Sequence, residues 1–367
     1  MGPSGAAERD SAGGPRPRRP GDLRQKEGVN RAVATRFGLL VPHFGEDADQ
    51  DLLVEGARLA EHLGFDSLWV RDHLVFHPHG MEGTDRTFIE PFVTLAFLAG
   101  ATARIGLGTA TIIPFRHPIN LAYSVSSLSW MSRRRFDLGV GAGNFQHEFD
   151  VIGMGGLERP ALMREQVEIS RRLWAGESVE HHSPTYDFHD VDLTPAPQMP
   201  VTVWWGGATP ASGRLAVDFC DGWLPGRITF PTYEKRVEQI RERCAEQGRP
   251  MILTGAVPVT SIGGSRAEAR EGLNVEGLLT NANSQRFWSK PPSGRFTRLE
   301  ELDGSILTGT PDDIVAGVQR YQEIGCDLLV FDFRMRFQDW LQQIRMLAQE
   351  VLPRVGASPV AAPARAG

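Results

Sequence analysis

Asp72 and His73 are the residue pair with the clearest potential for chemistry. They follow the apolar run Ser67–Val70, which is predicted as a strand, with Arg71 between. A histidine at a strand end can accept or donate a proton near neutral pH, and an adjacent carboxylate can select its tautomer. The same two residue types would also serve as a surface or capping pair, so both interpretations stay open at this point.

A second group of polar residues follows the glycine run Gly139–Gly143. The run ends a predicted strand and continues into Asn144, His147 and Glu148, so backbone amides and polar side chains are predicted at one rim. Gly143, Asn144 and His147 are therefore candidate ligand contacts. A tight turn without any ligand would place glycines in the same pattern.

Two further segments combine small residues with a strand end. The run 108–114 carries small side chains that allow a flat ligand to approach closely, and ordinary packing is the alternative. The run 205–209 opens a predicted helix, where free backbone amides can bind a phosphate. A glycine pair before a helix is also a common turn. The candidate contacts in these segments are Ala110, Thr111, Gly206, Gly207 and Ala208.

Composition and missing motifs exclude several function classes. Lys and Arg total 39 against 45 Asp and Glu, and the net charge of -6 gives no electrostatic footprint for nucleic acid. The three cysteines are far apart and no CxxC, HExxH or GxSxG pattern occurs, so no disulfide framework, metal site or acyl-transfer nucleophile is predicted. No run of about 18 apolar residues would span a membrane. These features predict a cytoplasmic protein with no nucleic-acid or membrane partner.

The elements that must position these residues alternate along the chain. Short apolar runs are predicted as strands at 37–41, 67–70, 105–109, 136–140, 201–205, 222–224, 252–256 and 327–331. Each run leads to a predicted helix, at 50–63, 90–102, 118–131, 159–175, 208–219, 232–247, 265–280 and 336–351, and an extra helix is predicted at 311–324. Eight such units predict an α/β fold, a closed (β/α)8 TIM barrel with its active site at the carboxyl ends of the strands. A doubly wound sheet is the rival, but the glycine run at 139–143 lacks the GxGxxG spacing and comes at the fourth strand.

One barrel domain with insertions is predicted over residues 35–355. Residues 1–34 and 356–367 are predicted to be flexible tails because they contain little periodic apolar sequence. Within the insertions, residues 177–193 are predicted to form a small hairpin, and the Phe287–Gly294 loop is either a substrate lid or a structural clip. The connections longer than a minimal barrel needs are 71–89, 142–158, 176–200 and 281–304.

Motifs occur in a fixed order from Phe37 to about Leu352. They are GFDSLWVxDH at 64–73, TxRIxLGT at 102–109, RHP at 116–118, RFxLGVGxG at 135–143, LWxG at 173–176, WGG at 205–207, DGW at 221–223 and GTPD at 309–312. Each motif alone is weak, but the ordered set resembles the bacterial-luciferase-like family of flavin- and deazaflavin-dependent oxidoreductases. The resemblance implies a (β/α)8 barrel with insertions and a homodimer.

The Asp-His pair resembles the branch of that family that uses coenzyme F420, a deazaflavin that transfers hydride. On that resemblance His73 exchanges a proton beside the deazaflavin ring, and Asp72 lines the site and orients His73. The peptide between Ala110 and Thr111 is implied to be cis and to lie behind the ring. The backbone amides implied to hold the cofactor phosphate are those of Gly206, Gly207 and Ala208.

Some positions depart from the family pattern. Asn144 stands where some family dehydrogenases carry a glutamate, which weakens the expectation of sugar-phosphate oxidation, and Arg71 replaces a small residue. Arg133–Arg135 are interpreted as a solvated face. The function that the resemblance implies is an F420-dependent reductase that transfers hydride to an activated C=C or C=N bond of a small-molecule or peptide natural-product intermediate. The alternatives are an FMN-dependent monooxygenase and a non-catalytic flavin-binding protein.

Overall fold

The computed structural model describes residues 35–356, and within this range eight parallel strands close a barrel. The described residues contain these eight barrel strands and four others, numbered together in chain order: β1 (Arg36–Leu40), β2 (Ser67–Val70), β3 (Gly106–Ile112), β4 (Phe136–Val140), β5 (Val179–His182), β6 (Asp187–Val191), β7 (Thr202–Trp205), β8 (Gly222–Trp223), β9 (Leu253–Ala256), β10 (Val259–Ile262), β11 (Ile306–Gly309) and β12 (Leu328–Phe331). The order around the barrel is β1-β12-β9-β8-β7-β4-β3-β2, and β2 pairs with β1. The predicted TIM barrel is confirmed. Apart from residue 356, the two predicted tails lie outside the described residues.

Helices separate the barrel strands, and several begin at a residue whose side chain caps the first turn. They are α1 (Gln50–His62), α2 (Pro91–Ala101), α3 (Pro118–Ser132), α4 (Gln146–Asp150), α5 (Arg159–Trp174), α6 (Pro210–Phe219), α7 (Phe230–Glu246), α8 (Arg266–Arg270), α9 (Val275–Ser284), α10 (Pro311–Ile324) and α11 (Trp340–Met346). The Asp49 carboxylate accepts a hydrogen bond of 2.8 Å from the amide of Leu52. Thr310 and Asp313 form a capping box at α10, and Gly325 ends that helix with φ 101°.

Two tryptophans fill the barrel interior. A Cβ atom at Gly38 would lie 2.5 Å from Trp69 Nε1, and one at Gly222 would lie 2.4 Å from Trp204 Cε3, so both glycines leave room for an indole ring. The Trp204 Nε1 donates to the buried carboxylate of Asp137 at 3.0 Å. The closed interior is therefore a packed core, and the room for a ligand lies above it.

Two features of the structure between residues 259 and 309 differ from the prediction. The helix predicted at 265–280 is broken into α8 and α9, and Gly272 adopts φ 79° in the break. The parallel pair β10–β11 was not predicted, because each strand has only four residues and follows a neighbouring element closely. The hairpin predicted at 177–193 is present as the antiparallel pair β5–β6.

Two of the three arginines at 133–135 are structural, so their interpretation as a solvated face is wrong for Arg134 and Arg135, whereas Arg133 is exposed. Arg134 is buried and donates to the carbonyl oxygen of Ala99 at 3.0 Å and to the Thr102 hydroxyl at 2.8 Å, so it binds the end of α2. Arg135 donates to Asp137 at 3.0 Å. Free carbonyl groups at a helix end attract cations, which explains the position of Arg134. No helix in residues 35–356 is both long enough and apolar enough to cross a bilayer.

Candidate active site

A cavity of about 510 Å³ lies at the carboxyl ends of β2, β3, β4 and β7. Its size is in the range of small-molecule and cofactor sites. The predicted site residues that line it are Asp72, His73, Ala110, Thr111, Gly143, Asn144, Gly206, Gly207 and Ala208. The long loop after β2 and residues of the 281–304 segment complete the wall. Residues that follow β8, β9 and β12 also line the cavity, so seven of the eight strand ends supply one site, as is usual for this barrel fold.

His147 is the predicted contact that the structure does not bring into the cavity. It lies on the short helix α4 with its side chain exposed, and its ring is 5.8 Å from that of His77. The neighbouring residue Glu148 is buried and lines the cavity instead. Successive helical residues point about 100° apart, so the turn that brings Glu148 inward carries His147 outward.

Glu148 is the hydrogen-bond partner of His73. Its carboxylate lies 3.1 Å from His73 Nδ1, and it also accepts hydrogen bonds from the amides of Leu74 at 2.9 Å and Val75 at 3.3 Å. Burial opposes ionisation of Glu148, but the contact with His73 and the two amides lower its pKa below the usual range. An ionised Glu148 accepts, so His73 Nδ1 carries the proton and Nε2 has the free lone pair.

Asp72 supports the neighbouring strand end and does not orient His73. Its carboxylate binds the guanidinium of Arg116 through two hydrogen bonds of 2.6 and 3.0 Å and accepts a third of 2.9 Å from the amide of Ile113. Adjacent residues of an extended segment point to opposite sides, so Asp72 and His73 diverge. The expectation that Asp72 orients His73 is therefore wrong, and Glu148 has that position.

Arg71 contacts the second nitrogen of His73. Its guanidinium lies 3.2 Å from His73 Nε2 and 3.2 Å from His79 Nδ1, and it forms an ion pair of 2.9 Å with Glu82. Because arginine can only donate, Nε2 of His73 accepts this hydrogen bond. Glu82 also binds Arg334. The structure therefore holds His73 between an anion at Nδ1 and a cation at Nε2.

Buried histidines beside this network remain neutral. Burial and the Arg71 cation lower the pKa of His79 to about 4, despite the opposing contact with Glu82. Burial lowers the pKa of His43 to about 3. His43 Nε2 accepts from the Arg71 amide at 2.9 Å, so its Nδ1 donates to the carbonyl oxygen of Ile89 at 2.9 Å. His43 thus fixes the backbone that precedes the Asp-His pair.

A bulge at the end of β3 forms the floor of the cavity. The peptide between Ala110 and Thr111 is cis, as the resemblance implied, and the pairing of β3 with β4 shifts register between Thr109 and Ile112. Thr111 lies against two glycine turns. A Cβ atom at Gly141 would be 2.6 Å from Thr111 Oγ1, and one at Gly206 would be 2.8 Å from Thr111 Cγ2. The two glycines therefore admit the Thr111 side chain.

The backbone between β7 and α6 offers amides to the cavity, but not all three that were predicted. The amide of Gly206 donates to the carbonyl oxygen of Val140 at 2.8 Å and is already used by the barrel. Gly207 has φ 95°, and its amide and that of Ala208 have no hydrogen-bond partner among residues 35–356. Gly207 and Ala208 are therefore the two amides that remain for an anion at the start of α6.

The sequence analysis did not identify Glu82 and Arg334 as site residues, and it assigned no catalytic role to Glu148. Glu148 was visible only as a member of a rim motif, and its pairing with His73 joins residues 75 positions apart. Glu82 and Arg334 are 252 positions apart, and no local pattern marks either of them. In residues 35–356 no group of three or more His, Cys, Asp or Glu side chains is close enough to hold a metal ion.

The whole barrel matches one known family. Residues 35–328 match the model of the family described as luciferase-like monooxygenase. The chain belongs to this family. By that membership this luciferase-like protein is an oxidoreductase, and its cavity at the strand ends is its candidate active site.

Relatives of this luciferase-like protein use more than one cofactor. It is 29% identical over 328 residues to an F420-dependent glucose-6-phosphate dehydrogenase of Beutenbergia cavernae, covering 84% of this chain and 94% of the relative. It is 25% identical over 362 residues to the oxygenase component of a flavin-dependent trigonelline monooxygenase of Acinetobacter baylyi, covering 89% and 97%. The solved structure of a coenzyme F420-dependent tetrahydromethanopterin reductase from Methanopyrus kandleri aligns with TM-score 0.70 and 19% identity, covering 88% and 99%. That structural likeness concerns the fold.

Proposed function

We propose that this protein is an F420-dependent reductase that acts on an activated C=C or C=N bond of a small molecule or a modified peptide. The observation that carries the proposal is the His73–Glu148 pair at 3.1 Å on the wall of the 510 Å³ cavity. A reduced deazaflavin supplies hydride when it is bound. The protein must then supply the proton, position and electrostatic environment of the reaction.

The residues present fit a flat cofactor with a phosphate tail. The bulge at Ala110–Thr111 and the glycines packed against it give a floor without protruding side chains. The amides of Gly207 and Ala208 would hold the phosphate. The floor and the amides belong to one cavity, so a ring and its phosphate would share one site.

His73 is the residue that would move the proton, through Nε2. Glu148 holds the Nδ1 proton in place, so only Nε2 can exchange a proton with a ligand. Arg71 donates to Nε2 in this structure, so that contact must open and Nε2 must take up a proton from water before His73 can deliver one to a ligand. When the His73 imidazole is protonated at both nitrogens, the Glu148 carboxylate gives this imidazolium a partner of opposite charge.

A second candidate is a monooxygenase that uses reduced FMN and oxygen. The observation in its favour is the 25% identity to a flavin-dependent monooxygenase over 89% of this chain. In that reaction the same His73–Glu148 pair would manage protons at the flavin. A non-catalytic flavin-binding protein is the third interpretation, and a buried acid–histidine pair on the wall of the cavity argues against it, because ionisable pairs that line a cleft are typical of catalytic sites.

Turnover separates the candidates. Purified protein is mixed with reduced F420 and an α,β-unsaturated ketone or an iminium compound, and formation of oxidised F420 is followed by its absorbance. Oxygen consumption with reduced FMN is measured in parallel. The proposal predicts acceptor-dependent F420 oxidation that is lost in His73→Ala although cofactor still binds. Oxygen uptake with FMN and no reaction with F420 would establish the monooxygenase instead.

A further inference from the structure

Arg227 is a cation without a partner in the wall of the active-site cavity. It follows β8, is half-buried, and lines the same cavity as His73. Its Nε is buried and unbonded, and no other atom of the side chain has a hydrogen-bond or ion-pair partner within residues 35–356. A partly buried guanidinium usually binds a carboxylate or a carbonyl group, because the hydration that its buried nitrogen loses is otherwise uncompensated.

The neighbouring arginines cannot share their carboxylates with Arg227. Glu82 binds Arg71 at 2.9 Å and Arg334 at 2.5 Å, and Asp332 binds Arg334 at 2.5 Å. Three guanidinium groups thus face two carboxylates in this part of the cavity. Burial first, and then the positive charge of Arg334, lowers the pKa of Arg227 to about 9, so Arg227 remains protonated at neutral pH.

We propose that Arg227 binds a carboxylate group of the substrate. This inference rests on the proposed function, in which the cavity is the active site. The part of the cavity beside Arg71 and Arg334 leaves one positive charge unpaired in the described residues, which matches a single carboxylate better than a doubly charged phosphate. The guanidinium fork also matches the two oxygens of a carboxylate.

The body of the substrate is expected to be apolar or aromatic. Phe145, Phe287, Trp288 and Val257 line the cavity that contains Arg227. Phe145 stacks on His79 with ring centroids 5.3 Å apart, and Trp288 packs against Phe296 at 6.1 Å, so both rings are held in place. A planar acid is therefore the class of ligand that the wall and Arg227 fit together.

The cofactor phosphate is assigned to a different place. The amides of Gly207 and Ala208 at the start of α6 carry that contact. Arg227 belongs instead to the part of the cavity near Arg71 and Arg334, whose charges act on it. Loss of Arg227 is therefore expected to weaken acid binding and to leave cofactor affinity unchanged.

Benzoate and its neutral isostere benzamide test this assignment. Each is titrated into the full-length protein by isothermal titration calorimetry, with and without F420. Wild type is expected to bind benzoate about tenfold more tightly than benzamide, the difference that one charge-assisted contact provides. Arg227→Gln is expected to bind the two equally, and Arg227→Lys to retain a preference for benzoate. The matched control is Arg164→Gln, since Arg164 is half exposed on α5, pairs with Glu168 and does not line the cavity.

Three results would overturn the proposal. Equal binding of benzoate to wild type and Arg227→Gln would show that Arg227 binds no acid. Phenyl phosphate bound tenfold more tightly than benzoate would show a dianion site. Loss of F420 affinity in Arg227→Gln would assign the residue to the cofactor. Failure of wild type to bind F420 at all would instead contradict the proposed function. The comparison of benzoate binding by wild type and Arg227→Gln would still decide whether Arg227 binds a carboxylate. Melting temperature controls for folding, and Arg227→Gln should melt no lower than wild type, because it removes an unpaired, desolvated charge.

Discussion

Glu148 Oε1 lies 3.1 Å from His73 Nδ1 although the two residues are 75 positions apart. The contact joins the loop after β2 to the short helix after β4, and both residues line the cavity. Since Glu148 is ionised, it fixes which nitrogen of His73 faces the cavity. The role expected for Asp72, the sequence neighbour of His73, is thus performed by a residue of another strand end.

The variant Glu148→Gln removes the negative charge of residue 148 but keeps a hydrogen-bond acceptor there. The amide oxygen can still accept from His73 Nδ1, but it gives a protonated ring no opposite charge. We expect kcat for F420-linked reduction to fall about 10–100-fold with F420 affinity unchanged. The matched control is Glu158→Gln, because Glu158 makes no capping hydrogen bond with its side chain. Unchanged kcat in Glu148→Gln would exclude the proposed role.

Asp72→Asn tests whether Asp72 is structural. The substitution breaks a buried, two-point ion pair with Arg116, so the free energy of unfolding is expected to fall by about 3 kcal/mol. Urea unfolding measures this change. The exposed residue Asp85, changed to Asn, serves as the control and should lose little stability. A stable Asp72→Asn protein that binds cofactor but has lost turnover would show that Asp72 acts directly in catalysis.

Gly206→Ala tests the packing of the cavity floor. A Cβ atom there would be 2.8 Å from Thr111 Cγ2, and such overpacking costs about 1–3 kcal/mol. We expect weaker F420 binding because the Ala110–Thr111 bulge is displaced. The double variant Gly206→Ala with Thr111→Ser removes Cγ2 and should recover most of the affinity. No recovery would mean that Gly206 acts in some way other than by leaving space for Thr111.

Stability is expected to depend on pH through His43 and His79. Their pKa values of about 3 and about 4 lie below the ordinary value of 6.5, so between pH 6.5 and 4 the unfolded chain binds more protons than the folded one. The stabilisation is complete above pH 6.5 and declines as pH falls, by about 1.4 kcal/mol per pH unit for each proton.

Urea unfolding between pH 7 and 5 measures this slope. His43→Gln keeps a donor and an acceptor beside Ile89 and Arg71 but cannot be protonated. Its slope should therefore be about half that of wild type. Equal slopes for the two proteins would show that His43 does not exchange a proton on unfolding.

The barrel was predictable because its signals are local. Each strand is a short apolar run, and caps such as Asp49, Thr310 and Gly325 mark helix ends within a few residues. The helix expected at 265–280 failed because Gly272 interrupts it, and helical period alone does not report such a break.

For the site, the sequence predicted which strand ends contribute residues, but it did not predict which side chains contact each other. Nine of the ten predicted residues line the cavity, while His147 points away from it. Side-chain partners such as Glu148 for His73 and Arg116 for Asp72 depend on how separate loops pack, and sequence spacing does not encode this. The Gly206 amide shows the same limit, since only the closed sheet reveals that Val140 already uses it.

Parallel titration of the purified protein with F420 and with FMN tests the central claim most directly. Each cofactor is added in oxidised and reduced form at fixed salt, and ligand fluorescence or absorbance is followed. The account predicts that F420 binds with a Kd on the order of 1 µM and that FMN at a hundredfold excess does not displace it. FMN binding more tightly than F420 would contradict the deazaflavin assignment and make oxygen the reactant to examine.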